Sequence, residues 1–347
     1  MRRRFSEASL AYGARVVLAA ALLAGCRGTS RSSPSVVLAE DIFTDAPFAQ
    51  CHASTMVETP SGLVAAWFGG TGEGEPDVGI WLSRRENSGW TAPVEVARGA
   101  GPDGNTEPCW NPVLFRPAGG LLLLFYKVGP SPSRWRGMIT RSADDGRTWE
   151  TPQPLPDGII GPVKNHPLEL ADGTLLCGSS TEGKGWRVHF ETTADHGQTW
   201  RKTPPINDGR DVGLIQPALL RARPDGVIAL MRSTAGRIYE SRSADRGETW
   251  TTPAPTALPN PNSGVDAVTL RDGRHVLVYN PIAEGRGTLA VALSSDGRTW
   301  TRVLTLEDEK GSEFSYPAVI QTRDGSVHIT YTWKRRRVRH VVIDPGR

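Results

Sequence analysis

Cysteine and histidine are scarce in this chain: 4 and 7 among 347 residues. None of them falls at a metal-ligand spacing, so neither a metal nor a cofactor is expected. Charge of one sign is lacking too, since 40 Lys and Arg face 37 Asp and Glu for a net charge of +3. The basic residues gather only at Lys334-Arg335-Arg336-Arg337, whereas nucleic-acid binding calls for a broader basic stripe. That quartet reads either as a solvated strand edge or as part of an anion-holding pocket. Long hydrophobic runs are absent as well. The apolar stretch that begins at Val16 falls short of the ~20 residues a membrane span needs. No linker or low-complexity segment interrupts the sequence after residue 50, which argues for one domain.

What the chain has is a repeated phrase. Ser142-Ala-Asp144-Asp-Gly146-Arg-Thr148-Trp149 returns as Thr193-Ala-Asp195-His-Gly197-Gln-Thr199-Trp200 and as Ser243-Ala-Asp245-Arg-Gly247-Glu-Thr249-Trp250. A shortened copy is Ser294-Ser-Asp296-Gly297-Arg-Thr299-Trp300, and a worn one ends at Gly89-Trp90. The unit is about fifty residues, a period that marks a solenoid or a propeller. Asp accepts hydrogen bonds from turn N–H groups and Gly supplies positive φ, so the phrase reads as a tight turn covered by Trp. Asp144, Asp195, Asp245 and Asp296 are therefore expected to cap turns rather than catalyse.

Within each unit an apolar strand, a Gly-containing turn, a second strand, a longer loop and a third strand precede the phrase. Six innermost strands are expected, at 53–58, 111–115, 167–170, 217–221, 267–270 and 317–321. The sixth unit ends after its third strand. Ser35-Val-Val-Leu-Ala39 either supplies the missing fourth or is a plain leader. The expected fold is all-β: a six-bladed β-propeller of four-stranded antiparallel blades over 35–347.

In such blades the loops before the first strands and those joining second to third strands share one face. Here they are long and carry aromatics beside charges and amides, the mixture that sugar recognition uses. Trp110, Asn111, Asn165, Asn262, Asp266, Lys127 and Arg337 are the candidate binding residues there.

The repeated phrase resembles the Asp-box of the sialidase-like (neuraminidase, BNR-repeat) superfamily. That resemblance implies an arginine clamp for a substrate carboxylate, a Tyr nucleophile paired with a Glu, and an acid/base from the first blade. Arg232 and Arg286 match the second and third arginines, and Tyr316 matches the nucleophile. Glu73, Glu75 and Asp77 lie in the region of the acid/base. Two departures stand out: Cys51-His52-Ala53 replaces the first arginine's motif, and Gln216 replaces the Glu.

Three functions follow. The first is a sialidase-like exo-acting glycoside hydrolase removing a terminal acidic sugar through Tyr316. The second is a lyase or glycosidase acting on uronate- or rhamnose-containing glycans, with His52 as base. The third is a non-catalytic glycan-binding surface propeller. In all three the partner is a glycan and a monomer is expected.

Residues 1–25 read as a signal peptide, with Arg2-Arg3-Arg4 before the apolar stretch. Leu23-Ala24-Gly25-Cys26 resembles a bacterial lipobox, which implies lipidation of Cys26, a tether over 26–34 and an exported, membrane-anchored protein in the outer membrane or periplasm. An oxidising compartment permits disulfides. Cys51 and Cys109, at equivalent places in consecutive units, are either bonded or two buried thiols.

Overall fold

Each Ser-x-Asp-x-Gly-x-Thr-Trp phrase closes the turn that leaves the third strand of a blade, and its own atoms explain why. Asp144 accepts hydrogen bonds from Ser142 Oγ (2.8 Å), Thr148 N–H (2.8 Å) and Thr148 Oγ1 (2.6 Å). The bonds from Thr148 hold its carboxyl below the usual carboxylate range. Gly146 takes φ +83° in the same turn, a conformation open to Gly at no steric cost. Asp195, Asp245 and Asp296 accept the equivalent Thr N–H bonds. The Trp that ends each phrase then packs on the preceding blade. Trp250 stacks on Phe190 at 3.7 Å, and Trp200 meets Phe125 edge-on at 6.1 Å.

The computed structural model describes residues 32–346 apart from 102 and 223. It is a six-bladed β-propeller of antiparallel sheets. The innermost strands are Gln50–Thr59, Cys109–Phe115, Leu168–Glu169, Leu214–Ala222, Asp266–Thr269 and Phe314–Gln321. Apolar side chains alternate along the strands and meet between blades, as Val64, Ala66 and Leu82 of blade 1 do with Leu122 and Leu124 of blade 2. The expected signal segment and Cys26 lie outside the described residues.

Ser35–Asp41 is the fourth strand of blade 6. It pairs antiparallel with Arg337–Asp344, the third strand of that blade. The N-terminal strand thereby closes the ring and covers a sheet edge. The seam carries a proton-sensitive chain. Glu40 Oε1 lies 2.9 Å from both His340 Nδ1 and Trp90 Nε1, and His340 Nε2 lies 3.0 Å from His328 Nδ1.

Burial first, and the neighbouring His340 second, push the His328 pKa down from 6.5 to about 4. The unfolded chain therefore takes up this proton before the folded one does. Stability from this group is present above pH ~6.5 and is lost as pH falls towards ~4, with no further loss below. Allowing for solvent screening, the expected loss is about 1–2 kcal/mol. Urea titrations at both ends of that window should show a smaller difference for His328→Gln than for the wild type. An equal difference would count against the seam as its source.

Four inner strands share one irregularity. The ladder register shifts beside His52/Thr55, Phe125/Lys127, Ile215/Ala218 and Ser315/Ala318. At these bulges Ala53, Asn111, Gln216 and Tyr316 take φ values of +55°, +38°, +56° and +52°. Left-handed backbone at a non-glycine residue stores about 1–3 kcal/mol, and a bulge re-aims the side chain at that point.

Cys51 and Cys109 are buried free thiols, and Cys177 is a third. Burial pushes the Cys51 thiol up to about 12, which keeps it protonated and unreactive.

Candidate active site

The loops before the inner strands and those joining second to third strands meet over the propeller axis around a cavity of about 210 Å³. All six blades reach it. His52 and Glu73 come from blade 1, Trp110, Asn111 and Trp135 from blade 2, and Glu182 from blade 3. Gln216 and Arg232 come from blade 4, Arg286 from blade 5, and Tyr316 and Arg335 from blade 6. A wider cleft of about 730 Å³ lies beside Glu58, Arg85 and Asp324, but these charges already answer neighbours: Arg323 N–H, Glu40 and Thr322 Oγ1.

Tyr316 is the centre of the cavity because its bulge turns the phenol inward. The ring packs on His52 at 4.1 Å between centroids. Its Oη accepts a hydrogen bond from Arg232 Nη1 at 2.7 Å and faces Gln216 Nε2 at 3.4 Å. Two donors are thus aimed at one phenol oxygen, and its own proton is left to point elsewhere.

Three arginines line the same cavity. Arg232 is buried, and its Nε donates to Asn262 Oδ1 at 2.6 Å. Among the described residues it has no carboxylate partner. Arg286 Nη1 and Arg335 Nε donate to the two oxygens of Glu313, at 2.9 and 3.0 Å. Burial works against charge on Glu313, but the Arg335 hydrogen bond and the Arg286 charge outweigh it and keep its pKa low. Arg335 Nη1 also donates to Glu73. Glu313 thus braces the Arg286 and Arg335 guanidinium groups against each other.

His52 is fully enclosed, and its Nδ1 lies 2.9 Å from Thr332 Oγ1. Burial foremost, then the charges of Arg335, Arg286, Arg232 and Lys164, hold its pKa well below the ordinary value. The imidazole is neutral at pH 7 and opposed to taking a proton.

The other candidates divide sharply. Of the three first-blade carboxylates only Glu73 reaches the cavity. Asp77 caps its own loop through Thr71 N–H (2.9 Å) and Thr71 Oγ1 (2.8 Å), and Glu75 is exposed with its N–H bonded to Gly72 C=O. Lys127 is no sugar ligand. Its side chain is buried, Nζ donates to Pro162 C=O, and burial lowers its pKa to about 7. Asp266 is buried beneath the site, accepting Val319 N–H at 2.8 Å and Ala267 N–H at 2.9 Å. Asn165 donates to Gln216 C=O at 2.9 Å and so pins a bulge instead of facing the cavity. Arg337 pairs with Asp41 at 2.7 Å on the outer seam. Asn262 stands behind Arg232 and orients it. Trp110 and Asn111 form a wall, with Trp110 Nε1 anchored to Gly129 C=O at 2.8 Å.

Arg335 is the residue that the family comparison of motifs overlooks. Lys334 and Arg335 form a two-residue turn with φ +51° and +59°, closed by Arg336 N–H to Trp333 C=O at 3.0 Å. Such hairpin turns ordinarily use Asn and Gly. The turn is pinned from blade 1, since Cys51 N–H donates to Arg335 C=O at 2.8 Å. The cation thus arrives beside the very segment, Cys51-His52-Ala53, that lacks an arginine. The basic quartet was the signal; which of its four members turns inward was not written in it. Glu182 also stood in a loop on this face without marking itself out.

Fold and cavity together define a sialidase-like propeller. Three solved structures show the likeness. A protein of unknown function from Dyadobacter fermentans is 16% identical with a TM-score of 0.75, over 90% of this chain and 99% of that one. The Hadza microbial sialidase Hz136 is 19% identical with a TM-score of 0.69, over 84% of this chain and 65% of its own. The NanB sialidase from Streptococcus pneumoniae is 12% identical with a TM-score of 0.68, over 90% and 71%. At these identities the likeness is one of fold. No curated protein matches the chain by sequence. The BNR repeat-like domain profile matches residues 61–329, and the chain belongs to that family.

Proposed function

We propose that this protein is an exo-acting glycoside hydrolase of the sialidase type, removing a terminal acidic sugar, sialic acid or a relative of it. The observation that carries the reading is the convergence of Arg232, Arg286 and Arg335 on one cavity with Tyr316 among them. Guanidinium forks suit a carboxylate bidentately. A volume of about 210 Å³ is below the ~300–1,000 Å³ of drug-sized sites and suits a single terminal residue. Arg232 places positive charge against the Tyr316 oxygen, whereas the Glu that Gln216 replaces would act there as a base. Tyr316 would attack the anomeric carbon, as expected where a Tyr replaces the usual carboxylate nucleophile.

A lyase centred on His52 is less well supported, because four cations oppose the proton that a base must accept. Export as a lipid-anchored monomer through Cys26 belongs to the same proposal, with the propeller displayed to glycans outside the cytoplasm.

The test is a panel of sialosides, glucuronides and uronate-containing oligosaccharides. Release of a free terminal acidic sugar supports the reading. An ultraviolet-absorbing unsaturated product would replace it with lyase chemistry. Binding without turnover would leave a lectin.

A further inference from the structure

We propose that Glu182, from the third blade, protonates the departing glycosidic oxygen, and that Glu73 of the first blade serves instead to hold Arg335 in the clamp. This assignment rests on the glycosidase reading above and sharpens it.

Glu182 follows directly on the second strand of blade 3, Leu175–Thr181, and lines the same cavity as Tyr316 and the three arginines. Among the described residues its carboxyl makes no hydrogen bond and no ion pair. Glu73 differs on that point, being bound to Arg335 Nη1, whose Nε is bound in turn to Glu313. A carboxyl that delivers its proton to a leaving group must be open to that group, and the Glu73 carboxyl is already engaged by a guanidinium. Burial, with the negative charge of Glu73 nearby, raises the pKa of Glu182, while Arg232 pulls the other way. Asp77 and Glu75 are outside the competition, for they do not reach the cavity.

The step balances as follows. The bond between the anomeric carbon and the glycosidic oxygen breaks, its electron pair stays on that oxygen, and the Glu182 proton joins it there. The anomeric carbon takes an electron pair from Tyr316 Oη, whose proton passes to solvent water. In the second half, water attacks the anomeric carbon and gives a proton to the Glu182 carboxylate. The phenol oxygen leaves with its electron pair and regains a proton from solvent.

General acid help matters most when the leaving group is poor, so two probes decide the question: the lactosyl and the nitrophenyl glycosides of sialic acid. For Glu182→Gln, kcat/KM on the lactosyl probe should fall by about 10²–10⁴-fold. On the nitrophenyl probe, whose phenolate leaves unaided, the fall should stay within about tenfold. The basic limb of the pH–rate profile should vanish in the same variant. Glu73→Gln should raise KM on both probes alike, without a split between them. Retained binding of free sialic acid by calorimetry shows that each variant is folded.

An equal loss on both probes for Glu182→Gln, or a leaving-group split in Glu73→Gln instead, overturns the assignment in an enzyme that is otherwise active. Release of an acidic sugar by the wild type from neither these probes nor any glycoside of the panel above overturns the glycosidase reading, and the assignment falls with it.

Discussion

Tyr316→Phe should lower kcat by about three orders of magnitude on the confirmed substrate, with KM changed little. The substitution removes one oxygen and nothing else. Ring packing on His52 stays, and the volume of the site is kept. What disappears is the atom on which Arg232 Nη1 and Gln216 Nε2 converge. Loss of that acceptor costs about 1–3 kcal/mol of stability as well, so melting curves belong beside the kinetics. A kcat within threefold of the wild type would exclude Tyr316 as nucleophile.

The second large effect concerns the clamp. Arg335→Ala should cost about 2–5 kcal/mol in kcat/KM on an acidic sugar, because it strips a half-buried charged contact and leaves the Glu73 carboxylate unpaired. Glu73 loses its partner, and Glu313 keeps Arg286 and Ser315. Arg335→Lys should recover little, since a point charge cannot replace two directed N–H bonds to different carboxylates. Turnover of a neutral, carboxylate-reduced sugar should be depressed far less than that of the acid. A fall under threefold on the acid would remove Arg335 from the clamp.

The propeller was legible in the sequence because its turns carry their own instructions. Asp, Gly and Trp at fixed offsets specify a hairpin whichever blade holds it, and the fifty-residue period counts the blades. The site was legible only in part. Tyr316, Gln216 and Asn111 announce themselves by standing just before a Pro at the head of an inner strand. Depth, however, is a property of packing and leaves no mark on a charged letter. Lys127 and Asp266 have the chemistry of ligands, yet they lie inside the protein and satisfy backbone groups there. Arg335 was hidden for the opposite reason: a turn of two bulky cations lacks the Gly or Asn by which hairpins are found.

The left-handed bulges give the scaffold an unequal distribution of tolerance. Asn111, Gln216 and Tyr316 occupy strained backbone and present their side chains to the cavity, whereas Ala53 occupies the same strained place and presents only a methyl group. For the first three, relaxing the backbone with glycine would empty the site. At Ala53 the same change relaxes the chain and removes no group from the cavity. A protein engineer seeking heat resistance would therefore find it free at one blade and ruinous at three, though the four backbones are alike.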